Sequence, residues 1–416
     1  MSVVISKEPV DKPAPPSVLK SVAGGYLDRI RGGDTGALPA LLALAVLVVA
    51  FSIMRPVFFS YGNFANLLTQ GAAVVVIAMG LIFVLLLGEI DLSAGYTSGV
   101  CAAVMAILLT NHGWPWYASI GIALLCGAVI GTLLGSIVVK IGVPSFVVTL
   151  AAFLAFQGIA LKLLNNGTNV SIRDDAILAI ENKNLSPLLG WVCLAILIVI
   201  YAAVQFKQAR SRAARGLTGA GMQVVAARVI GVTVLAGLAV FALNQERSKN
   251  VIVVSLKGVP IIVPIIVALL IGWTFVLHRT KFGRHIYAVG GSQEAARRAG
   301  IKVDKIRISA FVICSTMAAI GGIVAASRGN SVDPNTGGSD VLLKAVGAAV
   351  IGGTSLFGGR GRILDAILGG AVIAVIDNGM GLMGYSAGVK LIVTGSVLLL
   401  AAGVDAVSRK QTAASR

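Results

Sequence analysis

An all-α, multi-spanning membrane protein is the fold class this sequence predicts, and three observations carry it. Apolar runs of roughly 17 to 25 residues recur along the chain, each long enough to cross a hydrocarbon core of about 30 Å as a helix. Of 416 residues, 57% are hydrophobic and 12% are charged, whereas a soluble domain carries about 25% charged residues. The net charge is +17, from 34 Lys and Arg against 17 Asp and Glu. In a soluble protein that excess would point to nucleic acid. Here the positive-inside rule explains it, and no nucleic-acid partner is expected. Fifty glycines suit helices that approach one another closely in lipid.

The elements follow in order. Residues 1–36 are polar and proline-bearing and read as a cytoplasmic tail with no cleavable signal peptide. The first span runs from about Ala37 to Met54 and stops at Arg55-Pro56. The second, about Gly71 to Leu87, ends in Gly88-Glu89-Ile90-Asp91-Leu92-Ser93. The third covers about Ala94 to Leu109, where Trp114 and Trp116 then mark a membrane interface. The fourth, about Tyr117 to Val139, carries Gly127, Gly131 and Gly135 at four-residue spacing, a pattern that suits a helix–helix contact. The fifth is about Phe146 to Leu164, and a polar stretch from Asn165 to Ser186 follows. The sixth, about Pro187 to Phe206, meets Lys207, Arg210, Arg212 and Arg215. For the seventh, about Val224 to Leu243, a surface helix is a rival, because Gln223 and Arg228 intrude at its start. Parity argues for a span, since without it the two most basic loops would lie on opposite sides of the membrane.

The eighth is about Val259 to Leu277, and the basic loop 278–307 follows. The ninth is about Ile308 to Ser327. The tenth, about Val341 to Ser355, ends in Leu356-Phe357-Gly358-Gly359-Arg360-Gly361-Arg362. The last two are about Leu364 to Met380 and Val389 to Val404. That makes about twelve spans in a transmembrane domain over 37–407, with a basic tail at 408–416 and both termini cytoplasmic. About 24 of the 34 cations then fall on the cytoplasmic side, the expected bias. The broken runs beside Glu89 and Gly359 are candidates for half-helices.

The stretch Ser292 to Ile301 reads as a two-turn helix with both ends marked. Ser292 suits an N-cap, and Glu294 lies in the first turn, where the helix dipole favours an anion. Arg297 and Arg298 lie near the other end, and Gly300 can take the left-handed conformation that stops a helix. Between them Ala295, Ala296 and Ala299 form a face small enough to seat in a groove on another protein.

The other polar residues each admit two readings. Glu89 and Asp91 sit between apolar runs, where an ionisable group is costly unless it faces protein or water. They border a translocation path, or they form a short turn with Asp91 capping the next helix. Thr149 and Gln157 are polar within the fifth span, as substrate contacts or as helix-packing hydrogen bonds. Asp377 and Asn378 lie near the end of the eleventh span. Lys344 and Lys390 lie near span ends, where long cations reach for the interface. Cys101, Cys126, Cys193 and Cys314 fall within apolar runs and read as packing residues. No Gly-Lys dipeptide occurs, so no phosphate loop of that kind is present, and no Ser-His-Asp set or paired catalytic carboxylates appear. The sequence is read as non-enzymatic. If ATP drives the protein, another chain hydrolyses it.

Four ordered motifs resemble those of the permease subunits of bacterial ribose/xylose-type ABC importers. They are Glu89-Ile90-Asp91-Leu92-Ser93-Ala94-Gly95, Val143-Pro144-Ser145-Phe146-Val147-Val148-Thr149-Leu150-Ala151, Phe282-Gly283-Arg284-His285-Ile286-Tyr287-Ala288-Val289-Gly290-Gly291 and Ile351-Gly352-Gly353-Thr354-Ser355-Leu356. The resemblance covers roughly residues 40–407. The extra stretch from about Lys207 to Leu243, the Asn378-Gly379-Met380 segment and the carboxylate at Glu89, where many relatives have glycine, look xylose-type. It implies the ribose/vitamin B12-like permease fold in a bacterial inner membrane, and a permease homodimer with an ABC ATPase subunit and a periplasmic sugar-binding protein. ATP and magnesium would bind the ATPase, leaving no cofactor in this chain. Glu294, Ala295, Ala296, Arg297 and Gly300 match the coupling motif that docks the ATPase, so 278–307 becomes the coupling loop. Glu89, Asp91, Ser93, Thr149, Gln157 and Asn378 are the candidates for the translocation path. An ion-coupled secondary transporter working through Glu89 or Asp91 is the rival, and a membrane enzyme a more distant one.

Overall fold

A computed structural model describes residues 38–165, 167–215, 222–248 and 255–414. The expected tail over 1–36 lies outside the described residues. The helices are α1 (Leu38–Met54), α2 (Tyr61–Gln70), α3 (Ala72–Leu86), α4 (Ala94–Ala106), α5 (Trp116–Ser136), α6 (Ser145–Leu163), α7 (Asp175–Asn182), α8 (Pro187–Ala214), α9 (Met222–Leu243), α10 (Ile262–Arg279), α11 (Lys281–Gly291), α12 (Gln293–Arg298), α13 (Val303–Gly329), α14 (Ser339–Ile351), α15 (Ile363–Leu382) and α16 (Ala387–Ala414). The two-residue strands β1 (Val170–Ser171) and β2 (Ser331–Val332) pair antiparallel, with Val170 opposite Val332.

Among the described residues, eight helices are long and apolar enough to cross a membrane: α4 with its extension to Asn111, α5 with its extension to Ile141, α6, α8, α9, α10, α13 and α15. The pair α2–α3, bent by 40° at Gly71, makes a ninth, and α1 and Ala387–Leu400 are shorter apolar helices. Every expected span coincides with one of these helices or with α14. The second span begins ten residues earlier than its apolar run, because α2 continues it across the bend. The stretch 222–243 is a 22-residue apolar helix, so length and composition favour a span there over a surface helix. The half-helix expectation fits α14, whose 13 residues reach about 20 Å at 1.5 Å per residue and fall short of the hydrocarbon core.

Helix α13 is the hub, packed along α5, α3 and α4. The glycines of α5 create that approach. A Cβ on Gly131 would stand 2.5 Å from Phe311 O, and one on Gly127 would stand 2.7 Å from Ser315 O. The spacing that suited a helix contact therefore has α13 as its partner. Helix α3 is sealed, with every residue from Val75 to Leu86 buried. By contrast α8 exposes Leu188, Val199 and Ile200, and α9 exposes Leu235 and Leu238. An apolar exposed surface of that kind is what lipid covers. Cys101 and Cys314 are buried in this packing. Chain direction sets two loop faces. One carries α7 and the β1–β2 ribbon, and the other carries α11, α12 and the two broken segments 88–93 and 352–362.

Candidate coupling and translocation site

The α12 face is built from capped corners. Thr280 Oγ1 accepts Gly283 N–H at 3.2 Å to start α11, and Ser292 Oγ accepts Ala295 N–H at 3.2 Å to start α12. Gly300 stops the helix at φ +80°. The side chains of Glu294 and Arg298 pair at 3.1 Å, and Arg297 lies 3.8 Å from Asp304 of α13. Both pairs are exposed and contribute little stability. One expectation is corrected here. Ala296 turns inward and is 4% exposed, because the hydrophobic contacts that hold α12 to the body need one face of the helix. The face available to a partner is Glu294, Ala295, Arg297, Ala299 and Gly300.

Helix α11 seats this corner on the end of α3, just before the broken segment 88–93, and on the broken segment 352–362. A Cβ on Gly290 would stand 1.8 Å from Leu86 O and 2.9 Å from Gly359 N. Those two backbone atoms are themselves hydrogen-bonded, Gly359 N–H donating to Leu86 O at 2.8 Å. The Tyr287 hydroxyl donates to Gly361 O at 2.7 Å. Burial, helped by the nearby Asp365 carboxylate, pushes that phenol up to about 12. The sharp turns use left-handed glycines, with φ +73° at Gly88 and +84° at Gly358.

The segment 88–93 is then fixed from its other side. Ser145 Oγ accepts Ile90 N–H at 3.3 Å, and the Thr149 hydroxyl is 3.1 Å from Ile90 O and 2.9 Å from Ser145 O. Two polar side chains one turn apart on α6 thus satisfy both backbone groups of one residue. Asp91 Oδ1 accepts from Ser93 N–H at 2.9 Å and from Ser93 Oγ at 2.6 Å, opening α4. Glu89 is buried and ion-paired with Arg307 of α13.

With this geometry in view, residues 63–402 match the family described as branched-chain amino acid transport system / permease component. The chain belongs to this family. It is 35% identical over 390 residues to the xylose transport system permease protein XylH of Escherichia coli strain K12, covering 92% of this chain and 96% of that one. XylH of Haemophilus influenzae strain Rd is 33% identical over 372 residues, covering 89% and 96%. The ribose import permease protein RbsC of E. coli strain K12 is 30% identical over 370 residues, covering 88% and 92%. No solved structure matches the chain.

The permease gathers Glu89, Asp91, Ser93 and Thr149 at one site. Gln157 stands about 12 Å further along α6, eight residues beyond Thr149. Asn378 lies toward the opposite loop face, about 22 Å along α15 from its start. There its side-chain N–H donates to Gln70 Oε1 at 3.3 Å, while Asn378 Oδ1 is buried with no hydrogen-bond partner. Beside it Lys344 is held between Asp377 at 2.7 Å and Asp340 at 2.8 Å. Lys344 is therefore an internal ion-pair partner rather than a cation reaching for the interface, because two carboxylates meet it from α14 and α15. Sequence reading passed over Arg307, Ser145 and Gln70. Arg307 looked like one more cation of a basic loop, and nothing local shows which helix its side chain meets.

Proposed function

We propose that the permease forms the membrane path of an ATP-driven importer for a monosaccharide of the xylose class. In this reading α12 and both termini face the bacterial cytoplasm in the inner membrane. A separate ABC ATPase subunit binds ATP and magnesium and docks on α12, leaving no cofactor in this chain. A periplasmic binding protein delivers the sugar to the ribbon face, and a second permease copy completes the path. One observation carries the proposal: the exposed, doubly capped α12 follows directly on α11, whose Gly290 seats against the end of α3 at Leu86 and the broken segment at Gly359, so displacing this corner displaces them. The names of the xylose and ribose relatives support the substrate class. Glu89, Asp91, Ser93 and Thr149 shape the inner end of the path, and Asn378 offers a buried acceptor for a sugar hydroxyl near its outer end. Gln157 is assigned to the wall of the path along α6.

The ion-coupled alternative loses support at Glu89, which is paired with Arg307, while Asp91 uses only Oδ1 in the turn before α4 and keeps Oδ2 buried without a hydrogen-bond partner. Reconstitution with candidate ATPase and binding-protein partners tests the reading. Xylose is expected to stimulate hydrolysis and uptake above other monosaccharides. Uptake that needs no ATPase and follows a proton gradient would establish the alternative. Single cysteines at Gln293 and Asn335, in a cysteine-free background, are expected to label from the inside and the outside respectively.

A further inference from the structure

We infer that the Glu89–Arg307 ion pair is a positioning element that transmits movement of α12 to the segment 88–93. The inference rests on the ATP-driven reading above. Arg307 lies in the second turn of α13, directly after the corner Gly300 to Lys302 that follows α12. Asp304, one turn before Arg307, faces Arg297 of α12. From the other direction, Glu89 belongs to the segment whose next residue, Ile90, is held through both backbone groups by Ser145 and Thr149 of α6. The pair therefore closes a continuous route from α12 through the start of α13 to the broken segment and on to α6.

Both members are largely withdrawn from solvent, with side chains 17% exposed for Arg307 and 9% for Glu89. A buried pair resists separation, because parting its members leaves an uncompensated charge in a poorly solvating environment. The two ends consequently move together, as a link between rigid bodies must. A turn or a packing contact would not need opposite charges, and Asp91 already closes the turn before α4 by accepting Ser93 N–H. Glu89 also stands at the opposite end of the path from Asn378, so it is placed for transmission rather than for contact with sugar at the outer end.

The test measures sugar transported per ATP hydrolysed in proteoliposomes holding the permease, its ATPase and its binding protein, alongside the thermal midpoint. Glu89→Gln and Arg307→Gln are each expected to lower that ratio by about tenfold, in the range of typical coupling effects, while hydrolysis continues. The reversed pair, Glu89→Arg with Arg307→Glu, is expected to restore it. If the reversed pair fails to insert, Arg307→Lys decides, because it keeps the charge and is expected to retain most of the ratio. An unchanged ratio in both neutral variants overturns the inference. So does a fall in uptake and hydrolysis in step with a lower midpoint, the signature of a purely structural pair. A wild-type complex lacking ATP-dependent uptake overturns instead the functional reading on which the relay depends.

Discussion

Gly290→Ala adds a single methyl group where the seat of α12 has no room for one. The new Cβ would lie 1.8 Å from Leu86 O, and Gly359 N would be 2.9 Å away. Ordinary contact between heavy atoms begins near 3.5 Å, so the α11 end must lift from the end of α3 by about 1.7 Å. Overpacking of this kind costs about 1–3 kcal/mol. The Gly359 N–H to Leu86 O hydrogen bond, 2.8 Å long, lies in the wedge, and leaving it unmade at a buried site adds about 1–3 kcal/mol. The neighbouring Gly291 supplies the control, since a Cβ there meets nothing within 4 Å. Thermal midpoints in detergent, followed by ATP-driven uptake in proteoliposomes, are the assays. Gly290→Ala is expected to lower the midpoint clearly and to abolish most uptake, and Gly291→Ala to leave both near wild type. If the two variants behave alike, the claim that the α11–α12 corner acts on the end of α3 and on the segment 352–362 through this seat is refuted.

Three further outcomes follow from the same geometry. Ala295→Trp, on the exposed side of α12, is expected to weaken ATPase association with the midpoint unchanged. Ala296→Trp, at a site 4% exposed, is expected to destabilise the permease itself; pull-down with the ATPase and the midpoint separate the two, and equal midpoints would contradict the inward assignment. Thr149→Val keeps the shape of the side chain and removes the donor to Ile90 O, so a loss of about 1 kcal/mol and slower uptake are expected, whereas wild-type values for both would deny the clamp. Glu181 of α7 is buried against α13 with neither carboxylate oxygen hydrogen-bonded, and burial pushes it up to about 8 from 4.5, opposed by Arg328. The folded state then holds a proton that the unfolded state releases between those values. Stability contributed by this site is present below pH 4.5 and is lost as pH rises through 8. The wild-type midpoint should fall across that window, and Glu181→Gln should flatten the fall; an equal slope in both would show that Glu181 is not the group responsible.

What the sequence determined by itself is whatever depends on residues near one another in the chain. The length and hydropathy of each run predicted its helix, because one helix satisfies its own backbone in lipid. Ser292, Glu294 and Gly300 marked both ends of α12, because caps are local hydrogen bonds and a local backbone conformation. The glycine spacing in α5 announced a close contact, but only the packing named α13 as the partner. Tertiary structure alone decided the pairings between distant segments: Glu89 with Arg307, Ile90 with Ser145 and Thr149, Lys344 with Asp377, and Gly290 with Leu86 and Gly359. It also decided which alanine of α12 faces inward. An ion pair between residues 218 positions apart leaves no local mark, since either charge alone looks like an interfacial residue. Its partner is chosen by how helices cross, and that crossing is set by the summed packing of glycine seams and apolar side chains over the whole bundle.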